Sequence, residues 1–135
     1  MYSLRRVGGA GPVVPVRRMR LEDLSPRVRF GLYAAAVAVL LYLCLAPSDH
    51  LPTVNLWDKA EHGIAWAVLA GAGLVLFPRR AWRIVLFAVV FGAVIEVLQG
   101  LPAIHRDSDV RDWIADIVGV SAAWLVCQLI RRARR

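Results

Sequence analysis

The chain has 135 residues, 59% of them hydrophobic, and a formal net charge of +7 from 17 basic and 10 acidic side chains. A soluble domain of this size has about 45–50% apolar residues and intersperses its charges. Here long uncharged runs alternate with short charged clusters, and the mean hydropathy is +0.55. The composition therefore excludes an ordinary soluble globule and predicts a small, all-α integral membrane protein.

The first segment of the chain, residues 1–29, is rich in arginine, glycine and proline. This composition predicts a disordered basic cytoplasmic tail that anionic lipid attracts. The apolar run that follows, Phe30–Ala46, is longer than the hydrophobic region of a typical signal peptide, and its last residues are a poor cleavage site. We therefore interpret this run as an uncleaved membrane span.

Four segments have the apolar composition of a transmembrane helix, which needs about 20 residues to cross a bilayer core of about 30 Å. They are Phe30–Ala46, Trp57–Phe77, Ile84–Leu101 and Trp113–Ile130. All seven prolines lie outside these segments, as expected because proline breaks a helix interior. The sequence predicts a transmembrane four-helix bundle over residues 30–130, followed by a short basic cytoplasmic tail at 131–135.

The placement of the charges predicts the orientation of these spans. All but three of the 17 basic residues lie in the termini or between the second and third spans, regions that four spans place on one side. Because cytoplasmic loops carry an excess of Lys and Arg, both termini are predicted to be cytoplasmic, in a multi-pass protein of the plasma (inner) membrane. This topology explains the positive charge, so the expected partner is the lipid bilayer and not nucleic acid.

The polar residues that remain gather at the outer ends of three spans. They are Asp58 and His62 on the second span, Glu96 and Gln99 on the third, and Asp109, Asp112 and Asp116 on the fourth. Residues three or four apart share one face of a helix, so each span carries one polar stripe. Ionisable groups in a membrane cost several kcal/mol unless they face the bundle or water, so we expect the stripes to point at one another.

Small residues continue the polar stripes toward the middle of each span. They are Gly63, Ala67 and Gly71 on the second span, Gly92 and Gly100 on the third, and Gly119 and Ala123 on the fourth. Such rows let helices approach closely in lipid. The sequence therefore predicts a polar site that caps a tightly packed bundle.

The order of the polar residues resembles a known family. The pattern is Asp58-Lys59-x-x-His62, then Glu96-x-x-Gln99, then Arg106-x-x-Asp109-x-x-Asp112-x-x-x-Asp116-x-x-Gly119. It resembles the VanZ-like family, membrane proteins named for an accessory gene of teicoplanin resistance, over about residues 30–130. Asp116 stands where the family usually has asparagine, Gly63 where an aromatic residue is usual, and Trp66 where tyrosine is common. The resemblance implies a protein associated with the cell envelope.

One ligand-binding site is predicted at the outer ends of the spans. Its residues are Asp58, His62, Glu96, Gln99, Arg106, Asp109, Asp112 and Asp116. Within it, the candidates for acid–base catalysis are His62, Glu96 and Asp112, because an imidazole titrates near neutral pH and a neighbouring carboxylate can orient it. Lys59, Glu61 and Arg111 are interpreted as interface or solvated charges.

Each part of this site also has a purely structural interpretation. His62 bonded to Asp58 fixes helix packing, and Glu96 with Gln99 forms a latch between helices. The aspartates of the fourth span offset the positive end of a helix dipole, with Arg106 as their counter-ion. No metal site is predicted. One histidine without a nearby cysteine is a weak ligand set for zinc, and a set rich in carboxylates suits magnesium or calcium better than zinc. The sequence leaves the cofactor open.

Three functions remain open from the sequence. The preferred one is an envelope protein whose outer pocket binds a glycopeptide, a lipid-linked precursor or a lipid headgroup, and which affects glycopeptide susceptibility. The second is an intramembrane enzyme that uses acid–base chemistry or metal-activated water on a lipid-linked envelope substrate. The third is a proton-coupled transport subunit. The chain lacks a recognisable nucleophile motif, and its intramembrane acids all lie in the outer part of the spans, which disfavours the second and third.

Overall fold

The computed structural model describes residues 23–46, 58–104 and 108–135, and within them the chain is all-α, as predicted. The four helices are α1 (Pro26–Leu45), α2 (Asp58–Leu76), α3 (Ala81–Gln99) and α4 (Val110–Ala133). A short 3-10 turn, Pro78–Arg80, joins α2 to α3. Each helix coincides with one of the four predicted spans to within a few residues.

The first helix begins earlier than the predicted span. Pro26 occupies its first turn, where the missing N–H costs nothing, and the Ser25 hydroxyl caps the helix by accepting a hydrogen bond from the backbone N–H of Val28. Residues 26–29 are therefore helical, which corrects the prediction of a disordered tail up to residue 29. The rest of that predicted tail, residues 1–22, lies outside the described residues.

The last helix also continues beyond its predicted span. It ends at Ala133, and Arg131 and Arg132 form its last turn. Cations are favourable at a helix C-terminus because they offset the negative end of the helix dipole. Most of the predicted basic tail at 131–135 is thus a helical extension.

Within the described residues, three helical segments are long and apolar enough to cross a membrane. They are Pro26–Leu45, Pro78–Gln99 and Val110–Ala133. The helix α2 is not among them, because its first turn carries Lys59 and Glu61 and its remainder is rich in Gly and Ala. It nevertheless supplies much of the core. The most deeply buried of its apolar side chains, each at most 2% exposed, are those of Trp66, Leu69, Ala70 and Leu74. The helices α1, α3 and α4 all contact α2.

Hydrogen bonds between helices define the direction of each one. Near the start of α1, the Arg29 guanidinium donates through Nη1 to the carbonyl oxygen of Leu76 at the end of α2, at 3.2 Å, so these helices are antiparallel. The Gln99 side chain at the end of α3 donates through Nε2 to the carbonyl oxygen of Cys44 at the end of α1, at 2.9 Å. The ends of α1 and α3 therefore lie together.

The parallel helices α2 and α4 approach each other closely. An ideal Cβ atom on Gly119 would lie 2.9 Å from the carbonyl carbon of Gly63 and 3.1 Å from the backbone nitrogen of Ala67. This approach is possible because neither glycine carries a side chain at the crossing. Of the predicted rows of small residues, Gly63, Ala67 and Gly119 lie at the contact between α2 and α4, whereas an ideal Cβ on Gly71 has nothing within 4 Å.

Charge is separated between the two ends of the bundle. At one end, Arg29 of α1 and Arg131 of α4 donate to the carbonyl oxygens of Leu76 and Leu74, in the last turn of α2. These bonds satisfy carbonyl groups that a helix C-terminus leaves without partners. The acidic residues of α3 and α4 lie at the opposite end, which we call the acidic end.

Candidate functional site

Side chains from three helices meet at the acidic end. His62 of α2, Glu96 of α3 and Asp116 of α4 each offer one ligand atom, and these atoms all lie within 4.8 Å of one another. Glu96 is 7% exposed and Asp116 is fully buried. With the neighbouring Lys59, Asp109 and Asp112, these three residues form what we call the acidic cluster.

The imidazole of His62 lies between two carboxylates of α4. Its Nδ1 atom is 3.2 Å from Asp116 Oδ1, and its Nε2 atom is 3.9 Å from Asp112 Oδ2. Its ring stacks on the indole of Trp66, one turn further along α2, with centroids 6.0 Å apart. The indole N–H in turn donates to the carbonyl oxygen of Ala88 at 3.0 Å. The imidazole is therefore oriented by contacts with both α2 and α4.

Lys59 is part of the cluster, although the sequence interpretation treats it as a peripheral charge. Its ammonium group donates to Asp109 Oδ2 at 2.8 Å and also to Asp112 Oδ1. The hydrogen bond from Lys59, aided by the backbone N–H of Arg111, lowers the pKa of the Asp109 carboxyl group. The signal for this role is its position three residues before His62, on the same face of α2.

Glu96 joins the end of α3 to the start of α4. Its Oε2 atom accepts hydrogen bonds from the backbone N–H of Asp109 at 3.0 Å and from the Ser108 hydroxyl at 3.3 Å. Its Oε1 atom is buried and has no hydrogen-bond partner in the described part of the chain, and the same holds for Asp116 Oδ2. Glu96 and Asp116 thus each have one carboxylate oxygen in a contact with another helix or its N-terminal segment, and one oxygen without a hydrogen-bond partner among the described residues.

Three predicted site residues are not brought into the cluster by any described contact. Gln99 donates to the carbonyl oxygen of Cys44, so it connects α3 to α1. This contact corrects the predicted latch, in which Gln99 acts together with Glu96. Gln99 does join two helices, but through a bond to α1. Arg106 lies outside the described residues. Asp58 begins α2, and its side chain also lies outside them.

An apolar groove of about 750 Å³ lies beside the cluster, between α2 and α4. Its walls are apolar or small side chains, among them Ile64, Ala67 and Val118. Lys59 and Arg111, near the starts of the two helices, line its end at the acidic end of the bundle. This α2–α4 groove therefore has apolar walls and two basic residues at one end.

The balance of charge within the cluster is negative. Four carboxyl groups, those of Glu96, Asp109, Asp112 and Asp116, adjoin one lysine and one imidazole. The lysine pairs with Asp109 and Asp112, so within the described residues the cationic or titratable group nearest to Glu96 and Asp116 is the imidazole. Buried carboxylates need hydrogen bonds or positive charge to be tolerated. The arrangement is suited to binding a cation or a ligand rich in hydrogen-bond donors.

Comparison of the chain with protein-family models, with curated proteins and with solved structures finds no match. The resemblance to the VanZ-like family stays a prediction from the sequence. The functional interpretation accordingly depends on the geometry of the acidic cluster and of the α2–α4 groove.

Proposed function

We propose that this chain is a four-span, VanZ-like protein of the plasma membrane whose acidic cluster binds the polar head of a lipid-linked envelope ligand. Three helical segments have the length and hydropathy of spans, and α2 packs against all three of the other helices. The arginines at the opposite end of the bundle favour that end, with both termini, as the cytoplasmic one. The acidic end then faces the outside of the cell.

The observation that carries a binding role is the pair of unused carboxylate oxygens, Glu96 Oε1 and Asp116 Oδ2. Leaving a buried polar group unsatisfied costs about 1–3 kcal/mol, and more when the group is charged. A cluster that served only to hold helices together would satisfy both oxygens of each acid or replace the acid by an amide. Retention of two such oxygens supports a site that a further molecule or ion completes.

The α2–α4 groove supports a ligand with an apolar chain. Its apolar walls suit a lipid tail, and Arg111 at its end supplies positive charge for a lipid phosphate at the membrane surface. A sugar or peptide head attached to the phosphate then reaches the acidic cluster with its hydroxyl and amide donors.

The test is to substitute cluster residues conservatively and to measure abundance and phenotype together. His62→Gln, Glu96→Gln and Asp112→Asn keep shape and much of the hydrogen bonding but change charge. Glu61→Gln, at a neighbouring acid of α2 that does not belong to the cluster, is the matched control. We expect normal membrane abundance in all four variants, and loss of the change in glycopeptide susceptibility in the three cluster variants alone. A full phenotype in all three cluster variants contradicts the proposal.

A second candidate is an intramembrane enzyme acting on the same class of ligand. It is favoured by one observation, the imidazole of His62 with its two nitrogens directed at Asp116 and Asp112. A histidine oriented by a carboxylate can accept or donate a proton in catalysis. Conversion of a labelled lipid-linked substrate by the purified chain, and its loss in His62→Gln, distinguishes this candidate from binding alone.

A further inference from the structure

Three side chains in the acidic cluster have the chemistry and the placement of metal ligands. His62, Glu96 and Asp116 come from three different helices, and their candidate ligand atoms lie within 4.8 Å of one another. We propose that these three residues bind one divalent transition-metal ion, with Zn²⁺ as the best match. This inference rests on the proposed role of the acidic cluster as a binding site and names the ion that completes it.

The unused oxygens supply independent support for a bound cation. The partner oxygen of each acid is already taken, Glu96 Oε2 by Ser108 and the backbone of Asp109, and Asp116 Oδ1 by His62. Glu96 Oε1 and Asp116 Oδ2 are buried and have no hydrogen-bond partner among the described residues. A carboxylate oxygen is an acceptor only, so a cation, or the proton that competes with it, satisfies both.

The third helix makes room for this arrangement. Gly92 lies one turn before Glu96 on α3, and an ideal Cβ atom there would lie 2.8 Å from Asp116 Oδ2. The absence of a side chain lets the Asp116 carboxylate lie against the face of α3 that carries Glu96. A glycine at this position is thus what allows the two acids to share one site.

The ligand atoms lie near one another, as the ligands of a single metal ion must. His62 Nδ1 now contacts Asp116 Oδ1 at 3.2 Å, and a metal ion bound to Nδ1 would replace this hydrogen bond. Two ligands on one tetrahedral zinc ion, with bonds of about 2.0–2.1 Å, have about this separation. The ligand atom of Glu96 lies within 4.8 Å of the other two, so the three side chains must draw closer together to bind one ion. Three protein ligands leave a further coordination position, which is where water or the head of the ligand binds.

A second carboxylate lies near the other nitrogen of the imidazole. With Nδ1 on the metal, Nε2 carries the proton and faces Asp112 Oδ2 at 3.9 Å. Histidines that bind metals commonly direct their other nitrogen at a carboxylate, which fixes the ring and raises its basicity. Asp112 is itself held by Lys59. Asp112 therefore has a positioning role, and Glu96 and Asp116 are the carboxylates that bind the metal.

The donor set selects among metals. Two carboxylates alone suit Mg²⁺ or Ca²⁺, whereas an imidazole nitrogen favours Zn²⁺ and other first-row transition metals. Manganese(II) accepts the same donors but binds more weakly than zinc in the general order of stability. A dication also neutralises the two carboxylates while both stay ionised. Protonation would neutralise them only by converting both to carboxylic acids.

The experiment uses the full chain, purified in detergent with its affinity tag removed, stripped with a chelator and then titrated with metal ions. We expect one equivalent of Zn²⁺ per chain, with Mn²⁺ weaker and Mg²⁺ and Ca²⁺ not binding. Glu96→Gln and Asp116→Asn should weaken Zn²⁺ binding by at least about tenfold, while the control Glu61→Gln binds as the wild type does. Co²⁺ loaded into the wild type should give visible absorption bands that His62→Gln lacks.

The proposal is overturned if the wild type binds no Zn²⁺, if it binds only Mg²⁺ or Ca²⁺, or if Glu96→Gln binds Zn²⁺ as tightly as the wild type. If Asp116→Asn does not fold, the Co²⁺ spectra of the wild type and of His62→Gln decide the question. The outcome is separate from the proposed function. A chain without metal whose cluster variants still lose the susceptibility phenotype refutes the metal alone, and a chain with metal whose variants keep the phenotype refutes the envelope role alone.

Discussion

Replacement of Gly119 by alanine should separate α2 from α4. The new Cβ atom would lie 2.9 Å from the carbonyl carbon of Gly63, well inside van der Waals contact with the attached oxygen, and 3.1 Å from the nitrogen of Ala67. All of these are backbone atoms, which cannot rotate away as a side chain can. The two helices must therefore move apart by about 1 Å, and overpacking of this kind costs about 1–3 kcal/mol.

A second glycine-to-alanine substitution on α2 is the matched control, and we expect it to change stability in the opposite direction. Gly71 lies in the interior of α2 with nothing within 4 Å of an ideal Cβ. Alanine there should stabilise the chain by about 0.5–1 kcal/mol, because glycine loses more conformational freedom in a helix. We expect Gly119→Ala to lower the apparent melting temperature in detergent by several degrees and Gly71→Ala to leave it unchanged or raise it. Equal or higher stability of Gly119→Ala relative to Gly71→Ala would refute the close packing of α2 on α4.

Two further predictions concern topology and the groove. A reporter that is active only outside the cytoplasm should be inactive when fused after Arg135 and active when inserted in residues 51–54, because basic residues accumulate on the cytoplasmic side; the reverse pattern would contradict the four-span topology. Val118→Trp, which fills the α2–α4 groove, should reduce labelling by a photoactivatable lipid phosphate severalfold, whereas Val126→Trp, at an exposed site of α4 outside the groove, should not. Equal labelling of the two variants would show that the groove does not hold lipid.

The sequence predicts the helices well because the signals at their ends are strong and local. For α2, the predicted span Trp57–Phe77 and the observed helix Asp58–Leu76 differ by one residue at each end. Prolines and arginine clusters bound the apolar runs, and each run is long enough to be a span. The start of α1 is missed because Pro26, which would break a helix interior, is well accommodated in a first turn.

The cluster is predicted less completely than the helices. The rise of about 1.5 Å per residue gives the depth of each residue along its span. His62, Glu96 and Asp116 have similar depths, and this part of the site follows from the sequence. The rotation of α3 about its axis does not follow in detail from its sequence, because most of the helix is apolar around Glu96 and Gln99. Gln99 lies about 60° around α3 from Glu96. That angle is enough for Glu96 to face α4 while Gln99 faces α1.

The convergence of the three helices on one site is tested most directly by crosslinking. Cys44 and Cys127 are first replaced, and cysteines are then introduced at His62 and Glu96. A short bifunctional reagent applied to intact membranes should crosslink the 62–96 pair efficiently. A cysteine at Val97, which is 69% exposed and lies on another face of α3, should not crosslink to position 62. Crosslinking at 62–97 equal to or greater than that at 62–96 would contradict the acidic cluster itself.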